Sequence, residues 1–446
     1  MRRLAAQVIL AVAWLAPTRG AAQTATGPQR LTLAGAVQQA TQDAPGVQTA
    51  GYRVDAARAR VGEARSSLLP NLSVAGAWYN RSATLASTGF SFPPNLGFSL
   101  PALIGPYDNL DARVRLTQTL FDYSAWQHLQ AERFQTAGST ADRTAAAQAA
   151  ARTAALAYLG AVRAASLLAA RQADAEIAAQ LLSLAEAQLQ AGVSAPLDVT
   201  RARTQLVAAQ GALLVARNQR QKADIDLAMA LGADPATTYL LADTLTGDLG
   251  ASSAPTDTAA ALALGLERRP DLTAEAARGE HAHAEQRAIA SERLPRVDLA
   301  ADFGPNGKTV GTTLNTRAIA VQVTVPLLDG FRREARSDEQ QAAARESGAR
   351  AGDLRRQIAA QVRAALLDLG SGVEQHGVAG QRLALAVEEL DEARERFASG
   401  VAGNIDVITA QASLNLARDA EIESRYVTAA ARVSLAYAAG VAETVH

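Results

Sequence analysis

Cysteine is absent from this chain of 446 residues, which excludes disulfides, zinc ribbons, iron–sulfur clusters, thiol nucleophiles and an acylated cysteine anchor. Aromatic residues are scarce, 4% of the chain against 48% hydrophobic residues in all, so alanine supplies much of the apolar content. Compact globular cores draw on Phe, Trp and Tyr, whereas alanine suits helices packed closely along their length. Neither sign of charge dominates: 43 Lys+Arg against 44 Asp+Glu leave a formal charge of −1. That balance offers no basic field for nucleic acid or anionic lipid, and no acidic tail. Catalytic signatures are missing as well, with no GxSxG, HExxH, GxxxxGK[ST] or GxGxxG. His281 and His283 stand two apart on a helical stretch, so they face different ways and make a poor metal pair. Neighbouring carboxylates such as Glu388-Glu389 and Asp391-Glu392 are ordinary on long charged helices. The chain is therefore expected not to be an enzyme and to need no cofactor or metal.

What is present begins with an export signal. Arg2 and Arg3 precede an apolar run over residues 4–16, followed by Pro17 and the small residues Gly20, Ala21 and Ala22. A charged start, a short apolar stretch and small residues describe a secretory signal over residues 1–22. The run falls well short of the roughly 20 residues that cross a bilayer as a helix. No later stretch is long and unbroken in its apolar character, so no transmembrane helix is expected in the mature chain.

The remainder reads as a duplicated unit. Leu69-Pro70-Asn71-Leu72 matches Leu294-Pro295-Arg296-Val297, and Leu120-Phe121-Asp122 matches Leu327-Leu328-Asp329. Gly192-Val193 with Leu197-Asp198-Val199 matches Gly400-Val401 with Ile405-Asp406-Val407. Gly192 to Gly232 and Gly400 to Gly440 both span 40 residues. The first repeat is placed at residues 23–232, a linker at 233–255 and the second repeat at 256–446. Within each, period-two alternation marks strands: Val297, Leu299, Ala301 and Phe303, then Ile319, Val321, Val323 and Val325. Strands are expected near 71–80, 111–121, 296–304 and 317–327, the first pair joined by a Pro/Gly/Ser-rich loop over residues 89–106. No proline occurs between Pro106 and Pro196 or after Pro326, which permits uninterrupted helices. Helical hairpins are expected over 123–232 and 330–440, with tips at 192–196 and 400–404. About 69 residues of helix reach roughly 100 Å. Ala202, Ala209, Ala216, Ala223 and Ala230 recur every seven residues on the first return helix, a spacing that supercoils close-packed helices. Four strands cannot close a barrel, so strands in lipid must be pooled between chains. Their inward faces would carry Arg113, Arg115, Asp298 and Asp302 around a water-filled lumen.

Signal, duplication, LP-strands, strand ends in Phe-Asp or Leu-Asp, and a G-V-x-x-x-(L/I)-D-V tip together resemble the TolC-like outer membrane efflux proteins. The resemblance covers the whole mature chain. It implies a mainly α fold with β, in which helical hairpins form an α-barrel and four strands per protomer enter a trimeric transmembrane β-barrel. It implies a homotrimer in the outer membrane of a Gram-negative bacterium, reaching into the periplasm, unlipidated, in contact with outer-membrane lipid and with no nucleic-acid partner. A periplasmic adaptor and an inner-membrane pump of the resistance-nodulation-division or ABC type are the implied partners. The adaptor would dock on Gly192, Val193, Gly400 and Val401. Asp406 matches an aperture carboxylate of the family, and Asp198 stands at the equivalent place in the first repeat. The chain departs from the family nearby: Thr409 stands where some members have a second carboxylate, and Phe397 and Ala402 where some have a Tyr and Arg latch. The implied function is a passive exit duct for small toxic molecules. Polypeptide export through the same duct, and a secreted coiled-coil scaffold, are the alternatives the sequence leaves open.

Overall fold

The computed structural model describes residues 29–84, 103–245, 248–401 and 403–446. The export signal, most of the 89–106 loop and Ala402 lie outside the described residues. In chain order the elements are β1 (Gln29–Leu31), α1 (Leu33–Asp43), α2 (Pro45–Ser66), β2 (Asn71–Thr84), β3 (Leu103–Phe121), α3 (Tyr123–Gln190) and α4 (Pro196–Ala230). Then follow β4 (Tyr239–Leu241), α5 (Thr258–Arg268), α6 (Pro270–Ser291), β5 (Arg296–Gly307), β6 (Leu314–Thr324), α7 (Arg332–Ala398) and α8 (Asn404–Ala438). The fold is mainly helical with some sheet.

The helices stand side by side below one sheet. The sheet runs β2-β3-β5-β6, all antiparallel, and α2, α3, α6 and α7 hang from its lower edge. Lower down, α3 packs against α4 and α8, and α8 against α7. The shorter helices stack end to end. Gly232, after α4, lies against the Asp43 carbonyl before α2, and Gly440, after α8, lies against Arg268 and Arg269 before α6. A methyl group on Gly232 would meet that carbonyl oxygen at 2.8 Å, and both glycines hold positive φ, 72° and 74°. Glycine alone meets both demands without strain. Four columns result: α2 over α4, α3, α6 over α8, and α7.

A belt of packing joins the columns at mid-height. Tyr158, Leu159 and Val162 of α3 bury against Leu33 and Val37 of α1, Leu227 of α4 and Val433 of α8. The 233–255 connection belongs to this belt: β4 pairs in parallel with β1, and Leu245 and Leu249 enter the core. Among the described residues one helix, α3, is long and apolar enough by composition to cross a membrane. Its apolar content is largely alanine, and Ala151, Ala154, Ala155 and Ala161 are fully buried between helices.

Element ends differ from the sequence reading for local reasons. β6 stops at Thr324, since Pro326 has no N–H to offer a ladder. α7 starts at Arg332, after Gly330 and Phe331 in left-handed conformations. The Asp329 carboxylate there accepts from the Arg333 backbone N–H at 3.1 Å and from its Nε at 2.8 Å. β2 and β3 extend further towards their loop than the alternation alone indicated.

Candidate channel surfaces

The strand register sorts side chains into two unlike faces. Leu72 and Val74 stand beside Leu116 and Val114, Val114 beside Phe303, and Ala301, Leu299 and Val297 beside Ile319, Val321 and Val323. This face is largely apolar on all four strands, interrupted by Gln118 beside Leu299 and by Arg317 beside Phe303, yet Val74 is 79% exposed and Ile319 76%. Soluble monomers rarely leave a continuous patch of this kind uncovered.

The opposite face is polar. Ser73, Arg115, Asp302 and Ala318 share one row, while Thr119, Asp298 and Gln322 share another. The structure brings Arg113, Arg115, Asp298 and Asp302 onto this one face. Arg113 bridges Asp302 and, at 2.6 Å, Asp111. Arg296 Nε donates to Asp298 at 2.7 Å, and the Thr119 hydroxyl donates to it at 3.2 Å. Paired charges on a strand face are stable where water reaches them and costly in hydrocarbon. The outer edges of β2 and β6 are unpaired among the described residues.

At the far end, both hairpins turn by the same device. The Gly192 N–H donates to Leu189 O and the Val193 N–H to Gln188 O; Gly400 and Val401 repeat this on Phe397 and Arg396, all at 3.0 Å. Positive φ at Gly192 and Gly400 makes this double bond pattern possible. It leaves Val193 and Val401 each 74% exposed at the tips.

The sequence model of the outer membrane efflux protein family matches residues 36–233 and 262–441. The chain belongs to the outer membrane efflux protein family. Its sequence is 27% identical over 409 residues to Protein CyaE of Bordetella pertussis, covering 88% of this chain and 80% of that protein. Its fold is similar to the CmeC outer membrane channel of Campylobacter jejuni, with TM-score 0.75 and 17% identity over 92% of this chain and 86% of that one. It is likewise similar to the outer membrane protein VceC of Vibrio cholerae, with TM-score 0.71 and 19% identity over 92% of this chain and 96% of that one. This efflux protein is thus an outer-membrane channel component of efflux or secretion, in a family of channels and not of enzymes.

The two carboxylates singled out in this efflux protein stand in different surroundings. Asp198 is engaged by its own turn: the Ser194 hydroxyl donates to it at 3.0 Å, the Ala195 N–H at 3.4 Å, and Arg201 lies 3.8 Å away. Asp406 is exposed and has no ion pair among the described residues. An acid in the first turn of a helix is favoured by the helix dipole whichever role it has. Thr409 bonds back to Ile405 O at 2.8 Å. Phe397 is buried among Leu181, Leu390 and Val407 of the tip cluster.

Sequence reasoning missed the groups that join the hairpins. The Asn404 Nδ2 donates to Asp198 O at 2.7 Å, and the Gln188 Nε2 donates to Phe397 O at 3.2 Å. Higher up, the buried Asp174 carboxylate receives Arg171 at 2.8 Å and Arg418 at 3.0 Å. Burial pushes its carboxyl above the usual carboxylate range, against the pull of the two guanidiniums. Asn404, Gln188 and Arg418 meet partners more than 200 residues away and leave no spacing signal; only the Arg171–Asp174 pair, three residues apart on α3, is local.

Proposed function

We propose that three copies of this chain pool their strands into one barrel and their helices into one tunnel, giving a passive exit duct for small toxic molecules. The observation that carries the reading is the four-stranded sheet itself, apolar and uncovered on one face, charged on the other and open at both edges. In lipid an unpaired strand edge costs several kcal/mol per backbone group, and pairing β6 of one protomer with β2 of the next removes both edges. The helical wall supports the same closure. Exposed Val207 and Leu214 on α4 line one flank, and exposed Leu367, Val378 and Leu385 on α7 line the other, as joined protomers require.

In this reading the polar strand face lines the lumen, residues 1–22 are removed on export, and the tips reach deep into the periplasm. Val193 and Val401 receive a periplasmic adaptor, which couples the duct to an inner-membrane pump of the resistance-nodulation-division or ABC type. Asp406 is the better aperture carboxylate, since Asp198 is occupied by its own turn. Dye accumulation in cells tests the reading. Loss of the chain raises accumulation and its return lowers it, whereas the double variant Val193→Asp/Val401→Asp makes trimers that fail to lower it. Unchanged accumulation together with a lost secreted polypeptide would assign the duct to polypeptide cargo instead.

A further inference from the structure

One formal charge stands on the apolar face of the sheet. Phe121, Val297 and Val323 form the lowest row of that face, and Leu116, Ala301 and Ile319 lie two rows higher. In the next row up, beside Phe303, comes Arg317. From the Phe121 row to that of Trp78 and Leu110 it is the only charged side chain on this face among the described residues. It is exposed, and among those residues neither an ion pair nor a side-chain hydrogen bond engages it.

Its height in the sheet is as telling as its face. The helices hang from the lower edge, so in the barrel proposed above the turn over residues 308–313 points away from the periplasm. Arg317 lies six residues above Val323, about 20 Å along a strand and about 15 Å in height at a tilt near 40°. Exposed Val325, Leu327 and Leu328 carry apolar side chains lower still. Arg317 therefore falls in the outer half of an apolar band about 25 Å tall. Its long stem lies along apolar surface while the guanidinium reaches on to the outer edge of that band, where a charge costs far less than at the middle.

The chain supplies no acid there. From Gly304 to Leu328 it holds Lys308 and Arg317 but neither Asp nor Glu. Asp302 belongs to the opposite face, where Arg113 engages it. Asp108 stands three rows higher and accepts from Asn80 at 2.9 Å. The β2 strand that would close on the free edge of β6 presents Leu72, Val74, Gly76 and Trp78 on this side. What adjoins the guanidinium is the headgroup layer of the outer leaflet, whose acids are phosphates. Arginine meets a phosphate with two parallel N–H bonds and sheds its water more readily than lysine does. We propose that Arg317 is a lipid-binding residue, taking a phosphate of an outer-leaflet glycolipid whose acyl chains lie against Phe303. The inference rests on the barrel reading above.

The test uses full-length trimers in phosphatidylcholine vesicles with and without bisphosphorylated lipid A. Wild-type trimers retain lipid A, counted by native mass spectrometry after extraction, and resist heat better in its presence. Arg317→Gln retains several-fold less and gains no heat resistance, while Arg317→Lys keeps part of both. Lipid A stripped of its phosphates acts on none of the three, and excess inorganic phosphate does not displace the bound lipid. In phosphatidylcholine alone all three proteins dissociate at one temperature. Equal retention by Arg317→Gln overturns the proposal. So does a Gln variant weakened as much without lipid A as with it, which would make Arg317 a contact between protomers. Should that variant not insert, the wild type decides: no preference for phosphorylated over stripped lipid A overturns the proposal. Wild-type protein that never enters vesicles as trimers would fault the barrel reading itself.

Discussion

The Tyr158 hydroxyl lies 2.9 Å from the Leu31 carbonyl oxygen and 2.9 Å from the Asp243 carboxylate, inside the mid-height belt. Burial pushes its pKa far above the ordinary tyrosine value, so it serves as a neutral group tying α3 to both strands of the small parallel sheet at their C-terminal end. Tyr158→Phe leaves a buried acceptor without its donor, and the expected loss is about 1–3 kcal/mol, read as a lower denaturant midpoint with unchanged slope. At the opposite extreme of exposure, Asp406 carries charge into solvent at the tip. In planar bilayers Asp406→Asn is expected to lower cation selectivity with trimers intact; unchanged selectivity would leave it as a helix-start residue only. Single residues were the least legible part of the sequence. The tip glycines and valines stood out because turn chemistry is local. Tyr158, Asp174 and Asn404 did not, because their partners lie 85, 244 and 206 residues away.

Elements were more legible, since their signals are periodic and short in range. The alternation of Ile319, Val321 and Val323 with Ala320 and Gln322 becomes β6, with one set on the apolar face and the other on the polar face. That division yields a paired prediction. Ile319→Arg puts a guanidinium on the lipid side at an expected cost of about 2–4 kcal/mol near the bilayer midplane, while Ala320→Arg points it into water. Heat-resistant trimers recovered from outer membranes should fall sharply for the first and little for the second; equal loss would mean the two faces are not divided between lipid and water. Proline-free stretches became α3 and α7 because nothing in them interrupts the backbone ladder. The ends of elements were harder, as at β6 and α7, where Pro326 and the left-handed Gly330 and Phe331 set the boundary. β1 and β4, three residues each, are too short to show a period at all.

At the scale of the molecule, duplication was visible because equal spacings repeat: Gly192 to Gly232 and Gly400 to Gly440 close two hairpins of matching length. The end-to-end stacking of α4 under α2 and α8 under α6 was not visible, since it depends on glycines meeting backbone from remote segments. Both features leave a chain with an open sheet above and exposed apolar side chains on α4 and α7 below, which the proposed trimer would cover. The number of chains per particle therefore tests the account most directly. Native mass spectrometry of protein extracted from outer membranes in mild detergent should give particles of three chains that persist on dilution. A monodisperse single chain, released from membranes by salt alone, would contradict it.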